Sequence, residues 1–156
     1  MGIWLNYHTT AGVPDHTKAA IEAEAQALAP DGNWWTESLC FFDPRKGDGR
    51  LYGTTKVFLG GYSTEDGNYV DVDYKEDCLM AYRDMCFIFD HLAAWSQTHS
   101  LCWELECAGH NIGVVSNGAW DANLRAYLDL MKAEFPWPAN FEERVREIAK
   151  KYASRW

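Results

Sequence analysis

The chain lacks the short signatures that announce a cofactor or an activated nucleophile. It has no Gly-x-x-x-x-Gly-Lys-Ser/Thr phosphate loop, no Gly-x-Gly-x-x-Gly fingerprint, no His-Glu-x-x-His, no Cys-x-x-Cys pair and no Gly-x-Ser-x-Gly elbow. Most cofactor-driven chemistry is thereby disfavoured, and no cofactor is predicted. Basic residues are scarce, with 14 Lys and Arg against 23 Asp and Glu and a formal net charge of −9. A phosphate backbone repels such a surface, which argues against nucleic acid as a partner. The same charge favours a basic protein, through faster encounter.

Long apolar runs are also missing. The longest candidate, Cys78 to Trp95, is interrupted by Arg83, Asp84, Asp90 and His91, so no segment is expected to span a bilayer. The N-terminus, Met1-Gly2-Ile3-Trp4-Leu5-Asn6, has neither the basic start nor the apolar stretch of a secretory leader, and Asn6 breaks the myristoylation pattern. A soluble cytoplasmic protein without a membrane partner is expected. Cysteine is present in an odd number, five, which argues against a disulfide scaffold. Cys78 and Cys86, if helical, lie about 12 Å apart along the axis, too far to bridge. Buried free thiols in a reducing compartment are the simplest reading.

What the chain has in quantity is aromatic surface. Eight Trp, eight Tyr and seven Phe bring aromatics to 15% of 156 residues, enough for one domain, 1–156, with a substantial core. It also has a dense acidic run. Glu65, Asp66, Asp71, Asp73, Glu76 and Asp77 fall within thirteen residues, opposed only by Lys75.

Period-two alternation predicts strands over residues 3–8, 38–43, 50–59, 101–107 and 112–116, with a short one possible near 69–74. Helical spacing predicts four helices. The first is capped by Asp15 or Thr17, runs to about Ala29 and is stopped by Pro30-Asp31-Gly32. The second runs from about Lys75 to Gln97, with a stripe through Leu79, Tyr82, Cys86, Phe89 and Ala93. Asp121 caps the third, whose stripe ends at Phe135. Asn140 and Glu143 form a capping box for the fourth, whose stripe reaches Tyr152 and Trp156. Helices interleaved with hairpins give an α+β fold, a mostly antiparallel sheet of four to six strands with helices on one face.

Three constellations could carry function. Asp71 with Asp73, and Glu104 with Glu106, each share a strand face by period two. If those strands are neighbours, four carboxylates meet, a set suited to a divalent cation and to a small metal-dependent hydrolase. Otherwise they are a solvated face. His99, Cys102, Cys107 and His110 have the residue types of a zinc site or a thiolate–imidazole pair. Cys102 and Cys107, however, point to opposite faces of a strand and lie about 17 Å apart. Trp34-Trp35 follows a turn, which places at least one indole near the surface, as an anchor for a partner or the lid of a ligand pocket, unless both pack in the core. The first-ranked reading is a non-enzymatic protein-binding module, an inhibitor or antidote of a basic partner, contacting it through Asp71, Asp73, Glu76, Trp34 and Trp35. The metal-dependent hydrolase and a Trp-lined small-ligand site are the alternatives.

Overall fold

The computed structural model describes residues 2–29, 34–134 and 136–153. Alternation of Trp4, Asn6 and His8 with Leu5, Tyr7 and Thr9 builds β1 (Ile3–Thr9), with Leu5, Tyr7 and Thr9 buried. After α1 (Asp15–Leu28) come β2 (Cys40–Phe42) and β3 (Tyr52–Phe58), the expected hairpin. A two-stranded ribbon of β4 (Gly61–Ser63) and β5 (Tyr69–Asp71) leads into α2 (Tyr74–His99). Then β6 (Cys102–Cys107), β7 (His110–Ser116) and β8 (Ala119–Trp120) form a meander, followed by α3 (Ala122–Ala133) and α4 (Phe141–Lys151). The main sheet has six antiparallel strands in the order β2-β3-β1-β6-β7-β8.

Two tight turns hold positive φ at both central residues. Ala108-Gly109 and Asn117-Gly118 both take left-handed conformations between antiparallel strands, the backbone twist that two-residue hairpins require. Gly53 has a different role. A Cβ there would meet the ring of Tyr7 at 2.0 Å, so its absence lets that ring lie across β3.

Inward residues of β1, β3, β6 and β7 share one apolar cluster with Ile21 and Ala25 of α1, Met85, Ile88 and Leu92 of α2, and Leu124 and Leu128 of α3. These helices therefore cover one face of the sheet. A second cluster joins Trp35, Leu59 and Val72 to Leu79 and Met80 of α2 and to Val145 and Ile148 of α4. The long helix α2 serves both, which explains why its buried residues occupy most of its girth near its start. Tyr82 and Cys86, expected at the centre of its stripe, lie instead on its half-buried shoulder.

Two cap expectations need correction. Helix α1 starts from Pro14, whose carbonyl accepts from the N–H of Thr17 and Lys18; neither Asp15 nor Thr17 supplies a cap, and Thr17 is buried. Asn140 donates to Glu143, but its side chain makes no bond to the α4 backbone, so the capping box does not form. Asp121 does cap α3, accepting from Leu124 N–H. The turn at Pro30-Asp31-Gly32, Phe135 and Trp156 lie outside the described residues. No helix among the described residues is long and apolar enough to cross a membrane.

Candidate functional site

The acidic run divides into two sets where ribbon becomes helix. The turn of the ribbon is closed by Thr64, whose N–H and hydroxyl both donate to the Asn68 carbonyl, and Gly67 supplies the positive φ. Glu65, Asp66 and Asp71 are exposed on this ribbon. Asp73 is also exposed and is the N-cap of α2, accepting from Glu76 N–H at 3.1 Å. Glu76 and Asp77 then turn inward, each only 4% exposed.

Buried carboxylates demand partners, and both have them. Asp77 accepts from the Trp35 indole at 2.6 Å, from Leu59 N–H at 2.8 Å and from Gly60 N–H at 2.9 Å. Glu76 accepts from Arg144 at 3.0 Å, Lys151 at 2.5 Å and the Tyr152 hydroxyl at 3.0 Å. The Glu76 bond holds the Lys151 ammonium above its ordinary range. Two turns beyond Asp77 on the same helix, buried Asp84 accepts from the backbone N–H of Trp35 at 2.8 Å and from Arg83. Glu76 is therefore not a surface contact. It ties α4 to the start of α2.

The tryptophan pair is buried too, which corrects the expectation of a surface indole. Trp35 is fully enclosed because both its N–H groups are taken by carboxylates of α2. Trp34 donates its indole N–H to the Leu28 carbonyl and packs edge-on to Phe87 at 5.0 Å.

The two carboxylate pairs do not meet. Asp71 ends β5 in the ribbon, Asp73 has already left the strand, and Glu104 and Glu106 lie on β6 in the main sheet. The condition for a four-carboxylate metal site, adjacent strands, is not met. Among the described residues no three His, Cys, Asp or Glu side chains are grouped to share an ion. Cys102 and Cys107 fall on opposite faces of β6, one half-buried and the other buried, as their odd separation requires.

Glu104 has a partner that sequence reasoning did not find. His8 Nε2 lies 3.0 Å from its carboxylate, because β1 and β6 place the two residues opposite each other. The imidazole stacks on Tyr52 at 5.6 Å, and Phe42 follows at 6.3 Å from Tyr52. This row crosses the sheet face that the helices leave uncovered. A flat, wet face of this kind is ordinary for an antiparallel sheet with one covered side.

A groove of about 820 Å³ lies between α2 and α4. Its walls are Trp34, Tyr82, Cys86 and Phe87 on one side and Val145 and Ala149 on the other. Burial pushes the Cys86 thiol and the Tyr82 hydroxyl up, so both are neutral at physiological pH.

No family model, curated protein or solved structure matches the chain.

All five cysteines are free, and their environments order their reactivity. Burial pushes the Cys78 thiol up to about 11 and raises Cys107 as well. The thiolate is the reactive form. A thiol reagent at neutral pH should therefore modify exposed Cys40 first, with Cys78 and Cys107 reacting only on unfolding; peptide mass spectrometry reads the order.

Proposed function

We propose that the protein is a non-enzymatic protein-binding module that recognises a basic partner through the β4–β5 ribbon and the first residues of α2. The observation that carries this reading is the company kept by the exposed acids. Tyr69 and Tyr74, 60% and 58% exposed, are the most exposed aromatic side chains among the described residues, and they flank Asp71 and Asp73. Aromatic residues are enriched at interface centres and charged residues at the rim. Exposed tyrosines on either side of a pair of carboxylates supply apolar contact area and attraction for Lys or Arg. Tyr74 is already oriented, since its hydroxyl donates to Glu134 at 2.8 Å, a bond that raises its pKa.

The reading is narrower than composition alone supports, because Glu76, Asp77, Trp34 and Trp35 serve the fold. It assigns binding to Asp71 and Asp73 with Glu65, Asp66, Tyr69 and Tyr74. Five free thiols, two of them buried, support a reducing location such as the cytoplasm. The role suits an inhibitor or antidote that masks a cationic surface.

The test starts from the partner retained by the immobilised protein and identified by mass spectrometry. Its affinity is then measured by calorimetry for the wild type and for Glu65→Lys, Asp66→Lys, Asp71→Lys in combination. The expected result is a basic partner whose affinity falls at least tenfold in the variant and falls with added salt. Equal affinity for both proteins, or a partner without a basic surface, would overturn the reading.

A further inference from the structure

We infer that Asn117 is a latent site of spontaneous deamidation, held closed in the native fold by Ser96 of α2 and opened only when the β7–β8 turn lifts from that helix. Every other asparagine precedes a large apolar residue: Tyr7, Trp34, Tyr69, Ile112, Leu124 or Phe141. Asn117 alone precedes glycine, where no side chain shields the following amide nitrogen. The reaction needs only water. The Gly118 amide nitrogen gives up its proton and attacks Asn117 Cγ. The new N–Cγ bond closes a five-membered imide, and the side-chain nitrogen leaves as ammonia. Water then opens the imide at either carbonyl, giving aspartate or isoaspartate.

The turn itself calls for this labile pair. Asn117 and Gly118 have φ of 52° and 76°, the left-handed conformations that Asn and Gly adopt most readily in a two-residue hairpin. Both residues are exposed, so water reaches them. The fold withholds the nucleophile instead. Gly118 N–H donates to Ser96 Oγ at 2.9 Å, and the Ser96 hydroxyl is itself committed to the Ala93 carbonyl at 2.7 Å. Ser96 is 1% exposed, which anchors the bond in the buried side of α2. While it holds, the amide proton is kept from hydroxide and the peptide plane is fixed. The serine cannot act as the base, because a neutral hydroxyl with its proton engaged has little affinity for another. The nucleophile is free only in the fraction of molecules whose turn has opened. Isoaspartate would add a backbone carbon to a two-residue turn. That carbon shifts Val115–Trp120 and Ser116–Ala119 out of register and pulls Trp120 from its edge-on contact with Phe89 at 5.5 Å.

The test compares deamidation of Asn117 at neutral pH in the native protein, in a capped synthetic peptide of residues 115–120 and in the Ser96→Ala variant. Mass spectrometry reads the rates, and hydrogen exchange at Gly118 N–H is followed beside them. Native Asn117 should react more slowly than the peptide by about tenfold or more, and the ratio should match the exchange protection of Gly118 N–H within about threefold, since one opening governs both. Ser96→Ala, verified as folded by a circular dichroism melt, should lose most of the protection in both readouts. A native rate equal to that of the peptide would overturn the inference, as would a Gly118 N–H that exchanges freely beside a slow Asn117. Equal rates in folded Ser96→Ala and the wild type would also overturn it, because the turn alone would then protect Asn117. If Ser96→Ala does not fold, the comparison of native protein, peptide and exchange decides by the same criteria.

Discussion

Replacing Asp77 by Ala should destabilise the protein by about 3–5 kcal/mol, lowering the melting temperature by on the order of 10 °C for a chain of this size. One carboxylate closes three bonds there, to the Trp35 indole and to the N–H groups of Leu59 and Gly60. These donors come from two chain segments that must both dock on the start of α2. Truncation leaves all three facing an apolar cluster of Trp35, Leu59, Leu79 and Met80, where an unmatched N–H costs about 1–3 kcal/mol. Asp77→Asn keeps a carbonyl oxygen and should cost less than half as much. Urea melts of the two variants check the prediction; a loss below about 1 kcal/mol for Asp77→Ala would show that Asp77 does not hold these segments.

A comparable effect is expected one residue earlier, with a contrasting control on the ribbon. Glu76→Lys would set an ammonium, at a site 4% exposed, against Arg144 and Lys151, and should cost about 3–5 kcal/mol. The loss should be concentrated in α4, so amide exchange from residues 141–151 should accelerate first. Asp71→Lys makes the same charge change five residues away on an exposed strand and should stay within about 0.5 kcal/mol of the wild type. Similar losses for both substitutions would erase the division between structural and surface acids.

That division was not legible in the sequence, and the reason is distance along the chain. Six carboxylates between Glu65 and Asp77 read as one solvated edge, because the donors that draw Glu76 inward lie at Arg144, Lys151 and Tyr152, and the indole that meets Asp77 lies at Trp35. No local pattern connects them. Trp34-Trp35 was misread for the same reason: a turn nearby suggested exposure, while both Trp35 donors are satisfied by Asp77 and Asp84 on a distant helix. The His8–Glu104 pair depends on β1 lying beside β6, which only strand order reveals.

What was legible had a local cause. The β2–β3 and β6–β7 hairpins were marked by period-two alternation on either side of a short polar connection, whereas the two-residue strand β8 after Asn117-Gly118 was too short to show it. The long apolar segment after Asp73 became α2, with its start displaced by one residue and its end by two. Asp121 was legible as a cap because the bond it makes, to Leu124 N–H, is three residues away. The carboxylate quartet failed at its one non-local premise, that the strands of Asp71 and Glu104 are neighbours.

The central claim is that the ribbon and the first residues of α2 form the partner-binding surface. Amide chemical-shift mapping of the ¹⁵N-labelled protein, titrated with the partner it retains, tests this most directly. The account predicts that the largest shifts fall on residues 64–75. Shifts centred on the uncovered sheet face, around His8, Tyr52 and Glu104, with residues 64–75 unmoved, would contradict it.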